Sequence, residues 1–201
     1  MTAAITLYEY GPTRSARVRW TLMETGLAFT SVEKQNLIGS DELKKAHPLG
    51  KLPAVLVDGR PLFKSAAICT MLADMAPDKG LIAEPGTWAR ALHDQWVCFT
   101  LSEMEVYTWC TARNTFILPE EERVPGIVAQ NTEAFARGAG AMDAALADAD
   151  YLVDNRFSVT DIIAGFTVAW GCRQGLLADF SNLESYLDRL VDRPHCLLTK
   201  D

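Results

Sequence analysis

The chain of 201 residues is 49% hydrophobic and 22% charged, which is the composition of an ordinary globular protein. Its net charge of −7 at pH 7 disfavours nucleic acids and anionic membranes as partners. The sequence has no apolar run near the roughly 20 residues that a membrane-spanning helix needs, and its N-terminus has no secretory signal pattern.

The cysteines and histidines exclude two further classes of protein. Five cysteines are scattered along the chain and none are spaced as C-x-x-C. An odd number without such a spacing predicts free thiols in a reducing, cytoplasmic compartment rather than a disulfide framework. The histidines His47, His93 and His195 lie far apart, so we expect no metal site.

Strand and helix patterns alternate through the first fifty residues. The first apolar run ends at Gly11-Pro12, a pair that breaks a strand, and Gly26 is a stop signal for the helix that follows. Ser40 is placed to cap a short helix. The predicted elements are a strand over 5–8, a helix over 16–25, a strand over 28–33 and a helix through residue 46.

The segment 47–68 combines three structural signals. A short apolar run, typical of a buried strand, is followed by Asp58-Gly59, the dipeptide that most favours a tight hairpin turn. A second short strand comes next, and Ser65 can then cap a helix whose free N–H groups can bind an anion. The predicted ranges are 54–57 and 61–63 for the strands and 66–76 for the helix.

The order of these elements, β-α-β-α-β-β-α, is that of a thioredoxin-like α/β domain with a parallel strand pair and an antiparallel hairpin. The motif LGKLPA at 49–54, the Asp-Gly pair at 58–59 and the motif SAAI at 65–68 resemble the glutathione-binding segment of the cytosolic glutathione transferases. In that family the bond before the proline of the first motif is cis. The resemblance implies a thioredoxin-like domain over 1–78, a linker over 79–87 and an all-α helical domain over 88–201.

The second half of the chain has helix patterns and no strand patterns. Ser158 and Asp161 are spaced as a capping box, with Phe157 and Ile162 in the positions of a hydrophobic staple. The resembled family carries the same cap and staple at its central helix, and the helix here is apolar on almost every side, which predicts burial. The predicted helices cover 88–113, 119–147, 159–170 and 183–192. The second of these has an acidic start and Pro125 in its first turn.

The turn after the first strand carries the candidate catalytic groups. Thr13 and Ser15 stand at the start of a helix, where a hydroxyl donor and the helix N-terminus both favour a thiolate. In serine-type transferases a serine of this turn points at the glutathione sulfur, and either residue could instead cap the helix. The turn has no cysteine, which argues against mixed-disulfide chemistry. Tyr8 matches the hydroxyl of tyrosine-type members.

The resemblance also implies how glutathione binds. The backbone of Leu52, in front of Pro53, is expected to pair with the cysteinyl backbone, Ser65 to hold the γ-glutamyl carboxylate and Lys51 to reach the glycyl carboxylate. Lys64 departs from the family's usual Glu or Gln, which accepts a hydrogen bond from the α-ammonium group of glutathione. A lysine has donors only and carries like charge, so we expect weaker or altered binding.

An electrophilic second substrate is expected between the domains, against the long helix. Tyr107, Trp109, Asn114 and Phe116 are candidates to line its pocket. The first hypothesis is therefore a homodimeric detoxification enzyme that adds the glutathione thiolate to a small apolar electrophile. The alternatives are a non-catalytic ligand-binding or protein-interaction module with the same fold, and a glutathione-dependent peroxidase or reductase.

Overall fold

The computed structural model describes residues 3–11 and 13–200. The chain divides into two compact units, Met1–Ala83 with Pro194–Leu197, and Glu84–Arg193 with Leu198–Asp201. In the first unit the elements are β1 (Ile5–Glu9), α1 (Ser15–Thr25), β2 (Phe29–Glu33), α2 (Asp41–Lys44), β3 (Ala54–Val57), β4 (Arg60–Phe63), α3 (Ser65–Asp74) and a 3-10 turn (Pro77–Lys79). In the second they are α4 (Trp88–Thr100), α5 (Val106–Ala112), α6 (Ile127–Ala145), α7 (Val159–Arg173) and α8 (Ser181–Val191).

The first unit is built on a four-stranded sheet in the order β2-β1-β3-β4. β1 runs parallel to β2 and antiparallel to β3, and β4 returns beside β3 as a hairpin. This arrangement confirms the predicted thioredoxin-like order of elements. Side chains alternate along β1, and Ile5, Leu7 and Glu9 are buried on one face while the residues between them are half-buried.

Local sequence signals set several boundaries in the first unit. Gly26 ends α1 in the left-handed conformation, with φ of 70°. The hydroxyl of Ser40 caps α2, as predicted, and accepts a hydrogen bond from the backbone of that helix at 3.1 Å. Asp58 and Gly59 both have positive φ, 49° and 77°, which is the turn that a two-residue hairpin favours. Pro12, the predicted strand breaker, lies outside the described residues.

The start of α3 differs from the prediction. The helix begins at Ser65, so its N-cap is Lys64, which has φ of 75° and makes no side-chain cap hydrogen bond. The hydroxyl of Ser65 instead accepts a hydrogen bond from Nη1 of Arg17 at 3.3 Å. The prediction that Ser65 caps this helix was therefore wrong, because the residue lies inside the first turn and its oxygen faces a buried guanidinium.

A continuous helical run occupies the start of the second unit. It contains α4, a π turn over Leu101–Glu105, α5 and a second π turn over Arg113–Ile117. The prediction of helix over 88–113 is confirmed in type, but the two wide turns were missed because a π turn shifts the side-chain register without changing the composition. Within the described residues, no helix is long and apolar enough to cross a membrane.

The acidic run of the second unit does not open a helix. Glu120–Glu122 forms a separate 3-10 turn, and Arg123 after it is extended, with φ of −78° and ψ of 144°. α6 begins only at Ile127, with Gly126 as its N-cap. The prediction that Pro125 lies in the first turn of a helix beginning at 119 was wrong. Proline disfavours helical backbone in the residue that precedes it, which here is Val124.

The buried helix α7 forms the centre of the second unit, as predicted. Its capping box is confirmed: the Asp161 carboxylate accepts from the backbone N–H of Ser158 at 2.8 Å, and the Ser158 hydroxyl accepts from the N–H of Thr160 at 3.2 Å. Asp161 also accepts from the N–H of Leu152 at 3.1 Å and the hydroxyl of Tyr186 at 3.0 Å. Burial raises the pKa of Asp161 to about 6, although these hydrogen bonds oppose the shift.

Candidate functional site

The strand register brings three distant segments to one end of the sheet. Tyr8 of β1 lies beside Ala54 of β3, and Ala54 lies beside Phe63 of β4. The turn after β1, the chain before β3 and the start of α3 therefore meet at the same end of the sheet. The Leu52–Pro53 bond at this end is cis, as the resemblance implied.

Two hydroxyl groups meet at the N-terminus of α1. The Thr13 and Ser15 hydroxyl oxygens lie 2.8 Å apart, and the Thr13 oxygen also accepts a hydrogen bond from the backbone N–H of Ser15 at 3.2 Å. Ser15 is the first residue of α1 and is buried, whereas Thr13 is half-buried. The N-cap of α1 is Arg14, which makes no side-chain cap hydrogen bond, so neither hydroxyl is the cap of this helix. Thr13 is the more exposed hydroxyl of the pair.

A buried guanidinium connects α1 with α3. Arg17 is 1% exposed, and its Nη1 donates to the Ser65 hydroxyl at 3.3 Å. The first turns of α1 and α3, both of which the structure describes in full, contain no acidic residue. The partial positive charge of the two helix N-termini therefore favours an anion at this end of the sheet.

Sequence reasoning did not identify Arg17 as a site residue. The available signal was helical spacing, because Arg17 lies one turn before Thr21, and the Thr21 hydroxyl donates to the Arg17 carbonyl at 2.8 Å. Both side chains are on the buried side of α1. A charged residue at a buried helical position is expected to have a functional or structural partner. The sequence does not identify that partner, because only the fold brings the two groups together.

Two lysines lie close to the same end of the sheet. Lys51 and Lys64 are both exposed, and within the described part of the chain neither forms an ion pair. Burial, and then the positive charge of Lys64 and of Lys51, lowers the pKa of His47 below its usual value. The His47 ring is buried, its centroid lies 4.7 Å from that of Phe63, and its Nδ1 accepts from the N–H of Leu49 at 3.1 Å. The imidazole is thus neutral at pH 7, and the two ammonium groups supply the positive charge around it.

Comparison with known proteins agrees with this geometry. Residues 3–74 match the family model described as Glutathione S-transferase, N-terminal domain. The similarity to this family thus covers the N-terminal domain, which contains the cis bond, the Thr13–Ser15 pair and the start of α3.

Full-length relatives extend the similarity beyond that domain. The chain is 28% identical to Protein LigF of Sphingobium sp., over 94% of this chain and 90% of that protein. It is also 28% identical to glutathione S-transferase GstA of Escherichia coli O157:H7, over 87% and 86%. A sphingomonad glutathione S-transferase, solved as a complex with glutathione, has the same fold with a TM-score of 0.83 at 24% identity, covering 95% of this chain and 94% of that chain.

Tyr8, the third candidate hydroxyl, has a packing role in the structure. Its ring packs against a buried cluster that includes Leu37, Leu43 and Ala54. Strand alternation places it on the opposite face of β1 from Leu7 and Glu9. The hydroxyls of Thr13 and Ser15 lie beyond the end of the strand, at the N-terminus of α1.

The four candidates for an electrophile pocket have different surroundings. The rings of Trp109 and Trp170 meet edge to face, with centroids 6.2 Å apart. Asn114 donates to the Cys110 carbonyl at 2.9 Å, and its side-chain oxygen accepts from the N–H of Val124 at 2.9 Å, which holds the following loop. Tyr107 is half-buried, and Phe116 is 66% exposed. Helical spacing turns Trp109 by about 200° from Tyr107, so these two side chains do not face the same way.

The thiols lie outside the turn that carries Thr13 and Ser15. All five cysteines are in the described residues, and none of them forms a disulfide. Cys69 lies on α3, and burial raises the pKa of its thiol to about 12. Such a thiol is protonated at neutral pH and is a poor nucleophile. Among the described residues, no group of three or more His, Cys, Asp or Glu side chains could hold a metal ion.

Proposed function

We propose that this protein is a glutathione transferase that adds the glutathione thiolate to a small apolar electrophile. The observation that carries the proposal is the Thr13–Ser15 hydroxyl pair, 2.8 Å apart, at the N-terminus of α1. The match of residues 3–74 to the Glutathione S-transferase, N-terminal domain model and the glutathione named in the sphingomonad complex support the choice of thiol.

Glutathione would bind as an added strand in front of the cis bond. The backbone of Leu52 would pair with the cysteinyl backbone of the ligand, with Pro53 fixing the direction of the chain. The γ-glutamyl carboxylate would lie at Ser65 and the N-terminus of α3, where the Arg17 guanidinium adds positive charge. Lys51, which is exposed and free of ion pairs among the described residues, would reach the glycyl carboxylate.

The chemical role of the turn is to keep the sulfur ionised. A free cysteine thiol has a pKa of about 8.5, so it is mostly protonated at pH 7. We assign the hydrogen bond to the sulfur to Thr13, because Ser15 is buried and can donate its own proton to the Thr13 oxygen. The Thr13 proton then points outward, and it and the α1 N-terminus would stabilise the thiolate.

The reaction forms one carbon–sulfur bond. The thiol proton leaves to solvent, the sulfur lone pair attacks the electrophilic carbon, and either a leaving group departs with the bonding electrons or a double bond accepts them. Binding and orientation supply most of the acceleration in such a reaction. For the electrophile we propose a contact with Phe116, which presents the largest exposed apolar surface of the four candidates. Either Tyr107 or Trp109 would complete the pocket, since the two do not face the same way, and Asn114 would hold the neighbouring loop in place.

Calorimetry with glutathione, followed by a screen of electrophiles for conjugation, tests this function. We expect binding in the millimolar range or tighter and turnover of at least one apolar electrophile. Absence of glutathione binding at millimolar concentration would reject the proposal.

The presence of Lys64 where the family usually has an acceptor supports a second candidate function, a transferase-fold module that binds a ligand or a protein without catalysis. A stable partner in a pull-down, together with no conjugation of any electrophile in the screen, would favour this candidate. We also propose the two-fold homodimer that is common in the family, and sedimentation as a monomer would contradict it.

A further inference from the structure

The N-terminus of α3 carries positive charge. Lys64 is its N-cap, the first turn contains no acidic residue, and Arg17 donates to its first residue. The positive charge of Lys51 lies near the same end of the sheet, since it and Lys64 both lower the pKa of His47. These groups favour a carboxylate and disfavour an ammonium group.

The γ-glutamyl end of glutathione carries both of those groups. Its α-carboxylate and α-ammonium are bonded to one carbon atom, so a carboxylate held at Ser65 brings the ammonium next to the residue that precedes Ser65. That residue is Lys64, whose side chain has three donors and no acceptor. Two like unit charges 4 Å apart in water repel by an amount equivalent to about fivefold in affinity.

The position of Lys64 keeps its side chain near the place where the α-ammonium group of glutathione would lie. Its backbone is fixed with φ of 75° by the transition from β4 to α3. Lys64 directly follows Phe63, whose ring centroid lies 4.7 Å from that of His47, so the residue is anchored at this end of the sheet. Within the described residues no carboxylate pairs with it, so its charge is available to a ligand.

We propose that Lys64 makes this site selective for a thiol tripeptide whose γ-glutamyl end is an anion, with its α-amino group absent or uncharged. This inference rests on the proposed function, because it places the same tripeptide backbone in the same site. It assigns Lys64 a specificity role: the lysine attracts the α-carboxylate and rejects the neighbouring ammonium.

Calorimetry with two matched ligands tests the proposal. The ligands are S-methylglutathione and S-methyl-glutaryl-cysteinylglycine, which differ in the α-ammonium group and cannot undergo thiol chemistry. We expect the wild-type chain to bind the glutaryl ligand at least threefold more tightly. Lys64→Met should bring the two dissociation constants to within twofold, and Lys64→Glu should reverse the preference in favour of S-methylglutathione.

A matched control is Lys79→Met, which makes the same change of charge and shape beyond the far end of α3, roughly 15 Å along the helix from Lys64. It should keep the wild-type preference. The two ligands on the wild-type chain give a test that does not depend on the folding of any variant. If the wild type binds both ligands and prefers S-methylglutathione, the inference is overturned while the proposed function stands. If no variant binds either ligand at millimolar concentration, both are overturned.

Discussion

Arg17 and Ser65 are 48 positions apart in sequence, yet the guanidinium of the first donates to the hydroxyl of the second at 3.3 Å. The contact joins the first turn of α1 to the first turn of α3. A buried cation therefore links the two helix N-termini that the proposed mechanism uses, one for the sulfur and one for the γ-glutamyl carboxylate.

Ser65→Ala should weaken glutathione binding about tenfold or more, because a hydrogen bond to a charged carboxylate is worth about 1.5–3 kcal/mol. The change also leaves a buried guanidinium donor without its acceptor, so a lower melting temperature is expected. Calorimetry and thermal unfolding measure the two effects. Ser65→Thr keeps the hydroxyl and should retain most of the affinity, and equal affinities of the Ala and Thr variants would contradict the assignment.

Thr13→Val should lower kcat/KM for conjugation by roughly a hundredfold, in the range observed when one donor to a developing anion is removed. The pH profile should shift to higher pH, because the bound thiol loses a hydrogen bond that favours its ionised form. Valine has the shape of threonine, so the loss reports the hydroxyl.

Ser15→Ala is the companion variant, and we expect a smaller loss of roughly fivefold, since Ser15 acts by orienting Thr13. A pH profile unchanged in Thr13→Val but shifted in Ser15→Ala would show that the roles are exchanged.

Asp161 should make the protein less stable as the pH rises from about 4 to about 6. Burial raises its folded pKa from 3.8 to about 6, so in this window the folded chain binds a proton that the unfolded chain has released. The contribution of this carboxyl to the free energy of unfolding should fall by about 3 kcal/mol and stay constant at higher pH.

Denaturant unfolding of wild type and Asp161→Asn across this pH range isolates the effect. Asparagine does not titrate, so the difference in stability between the two proteins should shrink as the pH rises through the window. A constant difference would mean that the carboxyl has an ordinary pKa. The variant should be less stable at every pH, because its amide cannot replace all the hydrogen bonds of the capping box.

Gly138→Ala should destabilise the second unit by roughly 1–3 kcal/mol. A Cβ at this position would lie 2.5 Å from the carbonyl oxygen of Glu103 and 2.8 Å from Cγ of Met104, in the first π turn. The backbone of that turn would have to move away from α6. Thermal unfolding measures the change.

Gly140→Ala is the matched control on the same helix. Its Cβ would meet the ring of Phe180 at 3.6 Å, an ordinary van der Waals distance. Alanine favours a helix over glycine by up to about 1 kcal/mol, so this variant should be neutral or more stable. Equal destabilisation by the two substitutions would show that the π turn does not depend on close packing at Gly138.

Elements with a local physical cause were predictable from the sequence. The hairpin at Asp58 and Gly59 follows from two residues that accept positive φ, and the start of α7 follows from the reciprocal capping of Ser158 and Asp161. Each signal lies within a few residues of the structure it determines, so no knowledge of the fold was needed.

Features that depend on distant contacts were missed or misread. The partner of Ser65 is Arg17, and the partner of the first π turn is Gly138, which lies far along the chain. The acidic run Glu120–Glu122 favoured a helix by charge, but it forms only a 3-10 turn. Pro125 disfavours helical backbone at the residue before it. The residues proposed to bind glutathione were identified from a resemblance in sequence. The alignment of β1, β3 and β4 is what brings them to one end of the sheet.

The alignment of the strands determines where the proposed ligand binds, whereas exposed side chains determine which ligand the site selects. The pairing of Tyr8 with Ala54 and of Ala54 with Phe63 determines which segments end together, and a one-residue slip would turn every side chain of a strand to the opposite face. Substitution of an exposed residue such as Lys64 leaves this alignment intact. Substitutions of single exposed side chains can thus change which ligand binds without moving the site. Insertion of one residue in the two-residue hairpin would instead shift the strand register and displace the segments that form the site.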